Sequence, residues 1–298
     1  MKRIILAALT GLALSAPAHA QMTESSCAVS WGMVSAPLGL PPDLATAQLE
    51  GETCIARDLE IVNGRIRVLV DELRWQLDGL EALLISGALL DRVEVTARGV
   101  YVLAATGMPD FDYVMEAQAR ASEGISVDLL ATHADGEVML DRLHVDFPGE
   151  NAIDATLHLT GVDPRAPDQT VIRAIRLEVL TRGLFETYAL MPLANLLIGS
   201  SDDPEAEVAR LQAEAIAAIE ALPEPQFHRT TRAALTMLVQ DMPNPAGRVI
   251  FALQADDGLP ISQLSEAAGL LGRLPASDPL AALAGADLQV SYYRYGAE

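Results

Sequence analysis

The sequence predicts an α+β protein built on a long, curved, mostly antiparallel sheet that helices cover in part. Three observations predict it. From Ile55 to Thr181, apolar and polar residues alternate with period two in one segment after another, which gives each strand one apolar and one wet face, the mark of antiparallel pairing. Turn signals at Asn63-Gly64, Asp135-Gly136, Pro148-Gly149 and Gly161 separate these segments as successive hairpins. After Arg182-Gly183 the period lengthens to that of helices, and alternation returns from Val249 onward.

The chain opens with an export signal. Lys2 and Arg3 form a positive segment, Ile4 to Leu14 an apolar one, and Ala18-His19-Ala20 a small-residue cleavage site before Gln21. This predicts a signal peptide over 1–20 and a periplasmic mature protein over 21–298. The apolar segment is shorter than the ~20 residues that a spanning helix needs, and no later stretch predicts a transmembrane span. Residues 21–45 read as irregular, because Pro37, Gly39, Pro41 and Pro42 interrupt any pattern.

Each element then follows from its residues. Leu59 and Ile61 alternate with Asp58 and Glu60, and Ile66, Val68 and Val70 line one face of the next strand. Leu73, Trp75 and Leu77 continue on the opposite parity, which predicts a bulge near Asp71-Glu72. Val93, Val95 and Ala97 make the next strand. Met108-Pro109-Asp110 opens a helix over Phe111 to Ala121. Four more strands carry Val127 and Leu129, Leu143 and Val145, Leu157 and Leu159, and Leu177 and Val179. Leu184–Leu197 reads as a helix, kinked or restarted at Pro192. Asp203 caps the following helix, with Pro204 at its first position and Val208, Leu211, Ala215, Ile219 and Leu222 as an apolar stripe. Phe227 to Gln240 is a third helix. A strand over Val249–Ala255, a turn at Asp256-Asp257-Gly258, a short helix over Leu259–Leu271 and a final strand over Leu288–Arg294 complete the chain. Strands on both sides of the helices favour a single α+β domain over 21–298, with a subdivision near 183 as the alternative.

Cys27 and Cys54 are the two cysteines. In an oxidising compartment an isolated pair bonds, and the spacing is not that of a redox-active CxxC. They are expected to form a structural disulfide that ties the N-terminal segment to the first strands.

Composition narrows the function. With 20 basic and 41 acidic residues the formal net charge is −21, which works against nucleic acid and against anionic lipid surfaces. No G-x-S-x-G, H-E-x-x-H, Walker or Rossmann pattern occurs. His144 and Asp146 share a strand face, with His158 across a hairpin, yet these positions fall on the polar side of the alternation and read as exposed strand residues. No cofactor, metal or catalytic residue is assigned. Of Tyr292, Tyr293 and Tyr295, an inward-facing aromatic on the last strand is expected.

The apolar faces are the informative feature. Val93, Val95, Val127, Leu129, Leu143, Val145, Leu157, Leu159, Leu177 and Val179 are aliphatic positions of successive strands. If the helices over 184–241 cover them all, they form an ordinary core. If the cover is partial, the remainder is an apolar groove for an acyl chain or a partner's hydrophobic segment.

Three stretches carry a resemblance. They are Ile175-Arg176-Leu177-Glu178-Val179-Leu180 with Arg182-Gly183-Leu184-Phe185-Glu186 leading into a helix, then Met242-Pro243-Asn244-Pro245-Ala246-Gly247 before a strand, and Gly258-Leu259-Pro260-Ile261 opening a helix. Over roughly 135–295 this order of elements resembles a family of proteobacterial envelope proteins distantly similar to AsmA-like proteins. AsmA-like proteins usually keep an N-terminal membrane anchor, where this chain has a cleavage site. The resemblance implies an elongated antiparallel groove and a link to envelope lipids, and it carries over no catalytic residues.

The expected function is therefore non-enzymatic: a periplasmic protein that binds a lipid, another hydrophobic ligand or an envelope component, in lipid handling or outer-membrane maintenance. The alternatives are a structural or adaptor protein of the envelope with a filled core and, ranked last, a hydrolase whose site the sequence does not reveal.

Overall fold

The computed structural model describes residues 22–35, 47–190, 202–224, 227–262, 283 and 285–296. Ten strands form one sheet in chain order, each hydrogen-bonded to the next. The first four are β1 (Gln48–Glu50), β2 (Thr53–Asn63), β3 (Ile66–Asp78) and β4 (Arg92–Ala104). The hairpins predicted from the middle of the sequence follow as β5 (Ile125–Ala134), β6 (Glu137–Phe147), β7 (Asn151–Thr160) and β8 (Val171–Arg182). β9 (Ala246–Pro260) and β10 (Asp287–Arg294) join the same sheet beyond the helical stretch. Every pairing is antiparallel, as the alternation requires.

Register converts the alternation into a continuous surface, because residues directly opposite across an antiparallel pair share a face. One row runs Trp75, Val95, Leu129, Leu143, Ala155, Leu177, Phe251, Val290. Beside it runs Ala97, Val127, Val145, Ile153, Val179, Val249, Tyr292. A third holds Val93, Ala131, Leu140, Leu157, Ile175, Leu253, Leu288. Register shifts at Ala97/Val100, Leu130/Ala131, Leu140/Leu143, His158/Leu159 and Ile172/Ala174 add local twist along the sheet.

The parity switch expected near Asp71-Glu72 is present, and it extends across three strands. Ala56 and Leu59, Val70 and Leu73, and Ala97 and Val100 all pack in one cluster although each pair is an odd number of residues apart. Asp58 and Gly99, on either side of Asp71, have positive φ of 53° and 61°. Because each strand carries its extra residue at the same level, β2, β3 and β4 stay in register.

Two helical caps bury the ends of the apolar face. Residues 24–35, within the segment read as irregular, form helix α1 (Glu24–Ser35). Its sequence has no apolar stripe, so the helix is selected by tertiary contacts. The Cys27–Cys54 disulfide, a Trp31–Trp75 ring contact at 5.9 Å and a bond from Trp75 Nε1 to Ser30 Oγ at 2.8 Å hold it on the sheet. A short helix α2 (Leu80–Ser86), which the sequence reading lacked, sits between glycines in the left-handed region at Gly79 and Gly87. Helix α3 (Pro109–Ala119) matches expectation and is tied to the sheet by the ion pairs Arg67–Glu116 at 2.8 Å and Arg120–Asp71 at 2.5 Å.

At the other end, helix α4 (Pro204–Glu220) starts where predicted, with Asp203 Oδ1 accepting from the Ala206 N–H at 3.0 Å. Its apolar stripe meets helix α5 (Arg229–Asp241) and contributes no buried residue to the core. Helix α5 covers the edge strand. Thr231 Oγ1 accepts from the Val290 N–H at 3.2 Å and reaches the Leu288 carbonyl at 3.4 Å, so two backbone groups of β10 are paired. Tyr292 is the inward aromatic of this strand, and Tyr293 and Tyr295 are exposed.

Two further expectations are corrected. The stretch expected to begin a helix at Leu259 is the end of β9: Leu259 pairs with Ile172 and Pro260 with Val171. Leu259 is almost fully buried, and that burial outweighs the helix-opening pattern. Residues 256–258, read as a turn, lie within the strand as part of a bulge in which residues 255–258 stand opposite Arg173 alone, with Gly258 at φ 82°. The helix expected over Leu184–Leu197 begins as a π-turn, Phe185–Ala189; its later part, like most of the helix expected up to Leu271 and the whole of 1–20, lies outside the described residues. No helix among the described residues is long and apolar enough to cross a membrane.

Candidate apolar binding face

The ten aliphatic positions singled out by the sequence all lie in the rows defined by register, or directly beyond them at Leu159, which pairs with Val138 and Ile172. None belongs to the fully buried core, and all ten are half-buried. They divide by neighbourhood. Val93 and Val95 pack against the cluster beneath α1. Leu157 and Leu159 pack against Leu253, Leu259 and Ile172, and Val179 against the cluster beneath α5. Among the described residues, Val127, Leu129, Leu143, Val145 and Leu177 are members of none of the three clusters, although Val127, Leu129 and Leu177 stand opposite Ala97, Val95 and Phe251 at the cluster edges. Among the described residues, β5, β6 and β7 contribute no buried hydrophobic side chain at all. The face is therefore filled at both ends and half-exposed in the middle.

Where the middle meets the α5 end, the face runs into a cavity of about 350 Å³. Its floor is Ile153, Val179, Val249 and Phe251, which continue the Val127 and Leu129 rows. Leu184, Phe185 and Tyr188 of the π-turn region form one wall, and Leu238 and Met242 at α5 form another. Phe147 and the exposed Tyr188 meet at its open side, their ring centroids 5.2 Å apart. Among the described residues, no charged side chain lines this cavity. Thr181, one of its polar members, spends its hydroxyl on the Pro245 carbonyl at 3.2 Å. Burial holds the Tyr188 phenol above its ordinary pKa, so it stays neutral. The sequence held no signal for this cavity: Phe147, Tyr188 and Met242 are far apart in the chain and have no shared period.

The charged cross-strand pairs lie on the opposite face. His144 Nδ1 lies 2.7 Å from Asp154 and His158 Nε2 lies 3.3 Å from Glu137, each an exposed cross-strand pair. Arg248 and Arg176 flank Glu178 on the same face, and the Arg248 hydrogen bond holds that carboxyl below its ordinary pKa. No group of three or more His, Cys, Asp or Glu capable of holding a metal ion occurs among the described residues. One polar ring interrupts the apolar face: His133, opposite Val138, has its Nδ1 buried without a hydrogen-bond partner. Such a surface can dock hydrocarbon by removing it from water.

No protein-family model matches the chain, and none of the curated proteins matches it.

Proposed function

We propose that this is an exported, non-enzymatic protein that binds an apolar ligand on the middle of its sheet, in lipid handling or outer-membrane maintenance in the periplasm. The observation that carries this reading is the half-exposed centre of the face. Val127, Leu129, Leu143, Val145 and Leu177 are contiguous through register and outside every core cluster. Each methylene laid on such a surface and removed from water contributes about 0.8 kcal/mol. The resemblance to AsmA-like envelope proteins read from the sequence would imply a lipid ligand as well.

The reading is tested on protein purified gently from the periplasm. Native mass spectrometry is expected to detect co-purified lipid, and a fluorescent fatty-acid analogue to bind in titration. Leu129→Asp and Val145→Asp should abolish that uptake with the circular dichroism spectrum retained. Absence of both lipid and uptake in the folded protein would overturn it.

A further inference from the structure

We infer that the cavity beneath the π-turn takes the terminal segment of one unbranched acyl chain, laid across the strands from β5 to β9. This rests on the reading of the face as a binding surface and adds where the chain ends and what limits its length.

Continuity is the first argument. The row Val127, Val145, Ile153, Val179, Val249 crosses five neighbouring strands. Its first two positions are outside every core cluster, and its last three form the cavity floor. A chain resting on Val127 and Val145 is thus led between floor and walls without leaving the apolar row.

Length is the second. Four inter-strand spacings span about 19 Å. The hydrocarbon core of a bilayer is ~30 Å for two opposed leaflets, so one membrane acyl chain is about 15 Å long. The row and cavity together accommodate a single chain of that length.

Chemistry is the third. A polar headgroup would find no counter-charge among the described lining residues, since none of them is ionisable at neutral pH. The wall at α5, Leu238 and Met242, offers only apolar contact. A hydrocarbon terminus is the part of an amphiphile that such a site accepts, and its headgroup stays toward β5. Free fatty acids and phospholipids both supply this chain, so the experiment carries an arm for each.

The test measures affinity of the full mature protein for saturated fatty acids from octanoate to octadecanoate and for lysophosphatidylethanolamines of the same chain lengths. Binding should tighten about tenfold for every two added methylenes until the cavity is full, then level off. Leu184→Trp, which occupies cavity space, should move that plateau to shorter chains. Tyr188→Ala, which widens the mouth, should move it to longer chains or remove it, and serves independently if the first variant fails to fold. A plateau that shifts in either ligand series supports the inference and identifies the source of the chain. Binding in which neither variant moves the plateau overturns the cavity assignment and leaves the face intact as a binding surface. No binding of any amphiphile by the folded protein overturns both.

Discussion

The indole of Trp75 donates from Nε1 to the hydroxyl of Ser30 at 2.8 Å, joining α1 to the third strand of the sheet. Both side chains are buried, and Ser30 Oγ in turn reaches the Cys27 carbonyl at 3.2 Å. Ser30→Ala therefore leaves a buried N–H without a partner. The expected cost is about 1–3 kcal/mol, read as a lower urea midpoint with an unchanged slope.

The disulfide beside this bond closes a segment with a sequence separation of 27. On the chain-entropy account such a loop stabilises by roughly 3–4 kcal/mol. Cys27→Ser should lower the melting temperature and increase protease cleavage in α1, with uptake of the fatty-acid analogue on the middle strands retained. Equal melting of the variant and the parent under non-reducing conditions would contradict this.

Gly99 sits where the bulge crosses β4. A Cβ there would lie 2.0 Å from Asp71 Oδ2 and 2.8 Å from Asp71 Cβ, at a backbone φ of 61°. The nearest of these atoms can rotate away, and the Asp71 Cβ cannot. Gly99→Ala is expected to cost about 2 kcal/mol or more through strain and the displaced Asp71–Arg120 pair, and calorimetry of the two proteins checks it.

Tyr292 hydrogen-bonds Asp241 at 2.8 Å, and Arg294 bonds the same carboxylate at 2.6 Å and 2.7 Å. Burial, and then the Asp241 contact, push the Tyr292 phenol up to about 12 from an ordinary 10.0. The raised value means that the folded state holds the proton after the unfolded chain has released it. The associated stability is complete below pH 10 and is lost as pH rises toward 12. Tyr292→Phe should flatten stability against pH in that window, as measured by denaturant midpoints at several pH values.

A filled sheet face and a half-exposed one respond differently to truncation. Leu253 is buried, and Leu253→Ala should cost about 2–5 kcal/mol. Leu143 is half-buried on the same face, and Leu143→Ala should cost about 1 kcal/mol or less. Equal losses in ligand-free protein would show the middle strands to be core.

Strand identity was legible because alternation is local: Val127 with Leu129, and Leu143 with Val145, report their shared face within three residues. The helix from Pro204 was legible for the same reason, since Asp203 caps a backbone group three residues away. The pairing of Cys27 with Cys54 followed from there being two cysteines and an expected oxidising setting. Other features depended on residues remote in sequence. Helix α1 has no stripe of its own and exists against Trp75 and Cys54. Leu259 and Pro260 extend a strand because Ile172 and Val171 stand opposite them.

The sequence by itself thus determined an antiparallel sheet with one aliphatic face, the residues on that face and a disulfide near its start. Only the tertiary structure decided how much of the face is covered and that Phe147, Tyr188 and Met242 enclose a cavity at its edge. Period and capping act over a few residues, whereas coverage depends on where segments distant in the chain come to rest.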